Sequence, residues 1–185
     1  TPLSVNTIST SQGSASVADV LGNLLFYTDG QTIWNQNHSV MANGTGLFGM
    51  SAGVSGGQNS LILKKPGSVN LFYVFTVASA TVFSNGLNYS IVDMSLASGQ
   101  GSVTVKNAAL FPQSCDAKLT ATKHCNGNDY WIVIRENTGS NGISNFRSYL
   151  LSSAGTNTNA VVSTFSQANI AYGWEGGMKL SPNGK

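Results

Sequence analysis

Apolar residues fall in short runs, broken every few positions by Gly, Asn, Ser or Pro. Runs rich in β-branched and aromatic residues and bounded by turn formers read as strands. No stretch keeps apolar residues at i, i+3, i+4 and i+7 for long, so helices are not expected. The pattern predicts groups of strands. The first holds Ala15–Ala18, Leu24–Thr28, Thr32–Asn35 and Val40–Met41, followed by a Gly/Ser-rich loop over Gly44–Gly57. The second holds Ser60–Lys64, Leu71–Val77, Leu87–Asp93 and Ser102–Ala108. The third holds Leu119–His124, Tyr130–Arg135, Phe146–Leu151 and Val161–Phe165, and another opens at Gly177–Leu180. The second strand of the second and third groups, LFYVFTV and YWIVI, has no polar face. Such a strand is buried on both sides, which predicts that it lies between two neighbouring layers. Later strands alternate as edge strands do. Asn-Gly, the strongest short hairpin signal, begins at Asn43, Asn85, Asn126, Asn141 and Asn183.

One phrase recurs. Asp19–Asp29 reads DVLGNLLFYTD, Lys65–Thr76 reads KPGSVNLFYVFT and Cys125–Ile134 reads CNGNDYWIVI. Each is a Gly/Asn turn opening a strand with an aromatic pair near its start. A further copy begins at Leu180–Lys185. The marker glycines Gly22, Gly67, Gly127 and Gly184 recur at intervals of roughly 45–60 residues, the period of four-stranded propeller blades. The expected fold is therefore all-β and β-propeller-like. It has three blades and the start of a fourth, near 1–43, 58–110, 117–166 and 176–185, within a larger propeller. The alternative is a self-contained β-sandwich in which the repeat is coincidental. An open stack of sheets exposes a flat apolar face and unpaired edges. The expected partners are accordingly the remainder of a longer polypeptide or neighbouring subunits.

Composition narrows the class. Hydrophobic residues make up 41% of 185, enough for a core. Charged residues are only 9%, against about 25% in ordinary soluble domains. Ser, Thr, Asn and Gly take the solvent positions, a coat expected of exported bacterial proteins. The net charge is +2 and Lys64–Lys65 is the sole adjacent basic pair. No clustered basic face for nucleic acid is expected, nor any apolar run of about 20 residues that would span a membrane.

The strings GNLLFYTDGQTIWNQNHSVMANGTGLFG (Gly22–Gly49), LNYSIVDMSL (Leu87–Leu96), KLTATKHCNGNDYWIVIRE (Lys118–Glu136) and MKLSPNGK (Met178–Lys185) are similar to a recurrent region of large Bacteroidota surface proteins. The chain resembles the propeller-like N-terminal region of gliding-motility-associated and type IX secretion substrates. The resemblance implies an extracellular or cell-surface location and a non-catalytic role in adhesion, binding or surface assembly.

Candidate chemistry is sparse. Gly49–Gly53 and Gly53–Gly57 match G-x-S-x-G, with Asp93 and His124 following in order. A nucleophile elbow needs a helix after the turn, and none is expected. His124 and Cys125 are adjacent, and on one strand they would point to opposite faces. No D-x-D-x-D calcium loop exists among the carboxylates, and no metal or cofactor is expected. Asp19, Asp29 and Asp129 read as turn formers. A glycan hydrolase using Asp29 and Asp93 in a propeller pocket is the enzymatic alternative. A subunit of an extracellular fibre is another. The better binding candidates are Trp34, Asn35 and His38 in TIWNQNH and Trp174 in AYGWEGG, aromatics among polar neighbours that suit a surface glycan or a protein ligand. His38 is expected to bond backbone, and Trp131 to be core. Cys115 and Cys125 are a candidate disulfide. A straight strand over Lys118–His124 would hold them too far apart, and free thiols are the other reading.

Overall fold

The computed structural model describes residues 8, 13–49, 57–78, 85–136, 143–166 and 177–181. Among these the regular structure is strand, apart from one 3-10 turn at Ala97–Gly99. Strands β1 (Ala15–Ala18), β2 (Leu24–Thr28), β3 (Thr32–Asn35) and β4 (Val40–Thr45) form one antiparallel meander. Strands β5 (Ser60–Lys64), β6 (Leu71–Val77), β7 (Leu87–Asp93) and β8 (Ser102–Phe111) form a second. A parallel contact at Ala42 and Ser102 joins them into an eight-stranded sheet in the order β1-β2-β3-β4-β8-β7-β6-β5. Its two ends approach each other, with the Ser60 hydroxyl donating to the Gly13 carbonyl at 3.3 Å. The sheet is thus nearly closed and barrel-like.

A second sheet contains β9 (Cys115–Lys123), β10 (Tyr130–Glu136), β11 (Ile143–Ser152) and β12 (Gly155–Thr156), with β13 (Val161–Ser166) also paired to β11. Two apolar clusters hold the layers together. Phe26, Ile33, Met41, Leu47, Phe72, Val74, Val92 and Val103 fill the space between the walls of the barrel-like sheet. Tyr73, Phe75, Val77, Leu119, Ile132, Ile134, Tyr149 and others pack the outer side of β6–β8 against β9–β11. Strand β6 lies between the two clusters, which is why it needs apolar residues at successive positions.

Several segments form strands over the very residues the pattern marks, among them Leu24–Thr28, Thr32–Asn35, Ser60–Lys64, Leu71–Val77 and Leu87–Asp93. Other expectations are corrected. Asn43-Gly44 is not a hairpin turn, since it lies inside β4. There Asn43 adopts a left-handed conformation (φ 56°) and donates from Nδ2 to the Val103 carbonyl at 2.9 Å. The pairing of β3 with β4 slips at this place, as it does at a bulge. Gly177–Ser181 carries no strand. Trp131 is half-buried rather than core. It lies on the side of β10 away from Ile132 and Ile134, beside a cavity of about 210 Å³ lined by Val133, Val161 and Leu180. Asn141 and Asn183 lie outside the described residues.

Candidate functional site

The aromatic surface begins in the β2–β3 hairpin. Asp29 accepts backbone N–H bonds from Gln31 and Thr32, both at 2.8 Å. Gly30 takes the φ of +94° that the tight turn requires. That turn sets the register Phe26↔Asn35, Tyr27↔Trp34 and Thr28↔Ile33. Strand alternation then turns Phe26 and Ile33 into the core and Tyr27 and Trp34 to the other face. The two outer rings stack with centroids 5.5 Å apart and planes 17° from parallel. Trp34 covers Tyr27, which is buried, while Trp34 is itself half-buried.

The next turn brings in the imidazole. Asn35 Oδ1 accepts the N–H groups of Asn37 (3.0 Å) and Ser39 (3.2 Å). His38 N–H donates to the Asn35 carbonyl at 3.0 Å. His38 takes φ 62°, and its Nδ1 lies 3.0 Å from the Tyr27 hydroxyl. Its side chain therefore bonds a phenol, not the backbone that the sequence suggested. A groove of about 270 Å³ adjoins this face, lined in part by Ser14, Ser16, Leu24, Tyr27 and His38. Among the described residues no Asp, Glu, Lys or Arg lines it.

The structure thus brings Trp34 and His38 together around Tyr27. Asn35 is different, because it is buried and its carboxamide oxygen holds the turn. Trp174 lies outside the described residues, as do the G-x-S-x-G serines Ser51 and Ser55. Tyr27 was missed by sequence reasoning. The signal was available: alternation puts Phe26 and Tyr27 on opposite faces, so only one of the pair can be core.

The described carboxylates are held in structural roles. Asp19 Oδ1 accepts Leu21 and Asn23 N–H groups at 2.9 and 2.8 Å. The Asn23 side chain, then its backbone N–H, holds the Asp19 carboxyl below its usual range. Asp93 is lowered by the Ser95 hydroxyl, 2.6 Å away, and then by the Ser95 N–H. Asp129 accepts from Asn126 Nδ2 at 2.8 Å. Asp116 pairs with Arg135 at 2.7 Å, and Glu136 with Arg147 at 2.9 Å. Burial raises the phenols of Tyr73 and Tyr149 above the ordinary tyrosine value. Among the described residues no group of three or more His, Cys, Asp or Glu could hold a metal ion.

The cysteines are both free. Cys115 starts β9 and Cys125 follows its far end, so the strand itself holds the sulfurs apart. Cys115 is buried, and burial, then Asp116 and Glu136, push its thiol up to about 12. Cys125 is exposed. His124 lies past β9, in the turn, and not on the strand. The opposite-face argument therefore fails there, and Cys125 Sγ comes within 3.7 Å of His124 Nδ1. That nitrogen also accepts the Asn126 N–H at 3.2 Å.

Comparison of the chain with protein-family models, with curated proteins and with solved structures found no match. A functional reading therefore rests on the residues themselves. Two stacked rings, a hydrogen-bonded imidazole and a groove whose described lining carries hydroxyls and no Asp, Glu, Lys or Arg form a surface suited to neutral ligands with both polar edges and apolar faces.

Proposed function

We propose that this chain is a non-catalytic, β-propeller-like module that binds neutral glycan at a cell surface. The carrying observation is the Tyr27–Trp34 stack with His38 beside a groove that bears the Ser14, Ser16 and Tyr27 hydroxyls. Sugar rings offer C–H faces to aromatic planes and hydroxyls to polar rims, and this surface presents both. The turn-bound carboxylates Asp29 and Asp93 support binding over hydrolysis, since each already accepts hydrogen bonds within its own turn. A surface coated with amides and hydroxyls, with 9% charged residues, supports an extracellular or cell-surface location. So does the resemblance to exported Bacteroidota surface proteins. The meanders β1–β4 and β5–β8, each four strands long, and the sheet stacked beyond them support the blade reading.

Affinity electrophoresis through gels containing laminarin, dextran or mannan tests the binding. Retardation by at least one polymer, abolished by Trp34→Ala and kept by Asp29→Asn, is the expected result. Equal mobility of the parent chain and Trp34→Ala in every gel contradicts it.

A second reading is favoured by another observation. Val161 and Phe165 on β13 are 57% and 54% exposed, and the strand register puts them on the same face as the half-buried Trp131. Together they make an apolar sheet face, and assembly with a neighbouring subunit through that face is the alternative role. Sedimentation would then show a concentration-dependent oligomer, lost on Phe165→Lys. A monomer at all concentrations removes that reading.

A further inference from the structure

The interior between the walls of the barrel-like sheet changes character along its length. Across β6 and β7 the inward pairs run Phe72↔Val92, then Val74↔Ser90, then Thr76↔Asn88. On β2 the same step leads from Phe26 to Thr28. The polar end gathers Thr28, Asn59, Ser60, Thr76, Asn88 and Ser90, all buried.

Most of these groups have partners. Thr28 Oγ1 donates to the Thr32 carbonyl at 2.7 Å and accepts the Gly30 N–H at 2.9 Å. Asn88 Nδ2 donates to the Asn85 carbonyl at 2.7 Å, and Ser90 Oγ accepts the Asn107 N–H at 3.1 Å. Three atoms do not: Asn59 Nδ2, Asn59 Oδ1 and Thr76 Oγ1. Both residues are fully buried. Their backbones are adjacent, because Thr76 pairs with Ser60, the first residue of β5, and Asn59 directly precedes it. Native proteins pair nearly all buried polar groups, with each other or with ordered water.

The chemistry of the three atoms selects the occupant. An amide nitrogen that only donates does not suit a cation. An amide oxygen that only accepts does not suit an anion. The hydroxyl can do either. A small neutral molecule that both donates and accepts satisfies all three, and water is that molecule. Gly30 stands beside the carboxamide. A Cβ placed there would lie 3.6 Å from Asn59 Oδ1 and 3.5 Å from Gly49 Cα. Gly49 in turn lines a cavity of about 110 Å³, together with Gln31, Ala78 and Asn85.

We propose that Asn59 and Thr76 form an internal hydration site at the junction of the two sheets, with the Gln31–Asn85 cavity as its route to solvent. The position explains its use. The Asn59 carbonyl accepts the Val77 N–H at 2.9 Å, and the adjacent Gln58 carbonyl accepts the Leu119 N–H of the second sheet at 3.1 Å. Water held here braces the segment that ties β5, β6 and β9 together.

Water–protein cross-relaxation on the intact chain tests the site. The Asn59 side-chain NH₂ should show cross-peaks to long-lived water, and Thr76→Val should weaken them. Thr76→Val keeps the shape of the side chain and should lower Tm by about 2–4 °C, because the hydroxyl loses a hydrogen-bonded partner. Absence of the Asn59 water cross-peak in the parent chain overturns the proposal, whichever way Tm moves. So does an unchanged or raised Tm in Thr76→Val, the result for a hydroxyl with no partner.

Discussion

The Tyr27 hydroxyl and His38 Nδ1 lie 3.0 Å apart, linking the middle of β2 to the turn after β3. The contact fixes a left-handed histidine over a strand that is otherwise core. Tyr27→Phe keeps the ring stack and removes the bond to His38, so its expected cost is about 1 kcal/mol in urea denaturation. Trp34→Ala removes the stack as well as apolar cover, and should cost about 2 kcal/mol. If the two variants cost the same, the stack contributes nothing beyond the hydrogen bond.

Strand β6 faces two different cores, with Phe72 in one and Phe75 in the other. Phe72→Leu and Phe75→Leu should each cost about 1–1.5 kcal/mol, by the methylenes lost and incomplete collapse of the site. The double variant should show the sum to within about 0.5 kcal/mol, because the rings belong to different clusters on opposite faces of β6. A larger coupling, measured by the double-mutant cycle, would place both rings in one cluster.

Much of this architecture was legible in the sequence, and the physical reasons are specific. LFYVFTV has no polar face, so a two-sided burial was the only consistent placement for β6. Asp29 beside Gly30 reads as a turn former between the strands Leu24–Thr28 and Thr32–Asn35, and the structure has that turn, whose register sets Tyr27 opposite Trp34. Three features were hidden. Asn43-Gly44 carries the hairpin signal, yet a bonded Asn43 side chain and the partner β8 turn it into an irregularity within β4. Trp131 sits in an apolar run, but which of its two faces is covered depends on a layer that local pattern cannot see. The pattern places His124 on a strand, and the strand stops one residue earlier, at Lys123. A one-residue shift at a strand end decides whether neighbouring side chains diverge or meet.

The two thiols should differ sharply. Cys125 is exposed and should react with a maleimide in the native chain within minutes. Cys115 should react only on unfolding. Cys115 also makes stability fall at alkaline pH. Its thiol is raised from 9.0 to about 12 in the folded chain. Between these values the unfolded thiol loses its proton and the folded one keeps it, so the unfolded state is favoured as pH rises. The contribution is complete below pH 9 and is lost progressively toward pH 12. In Cys115→Ala the decline of stability over that interval should be shallower than in the parent chain. Parallel curves would exclude the assignment.

Asp116 is buried, with Arg135 at 2.7 Å and Lys118 at 3.7 Å. Arg135→Met removes its closer partner and leaves the carboxylate poorly compensated, at an expected cost of about 3 kcal/mol. Asp116→Asn in the same chain should restore part of that loss, measured by urea denaturation. No recovery would mean that the loss does not come from leaving Asp116 without its closer partner.

The most direct test of the binding surface uses the indole N–H resonances. The chain has three tryptophans, so three cross-peaks report on three positions. On titration with a neutral oligosaccharide of a retarding polymer, the Trp34 cross-peak should shift in a saturable manner and the Trp131 cross-peak should stay in place. A Trp34 cross-peak that does not move at saturating sugar, or a shift confined to Trp131, contradicts the account.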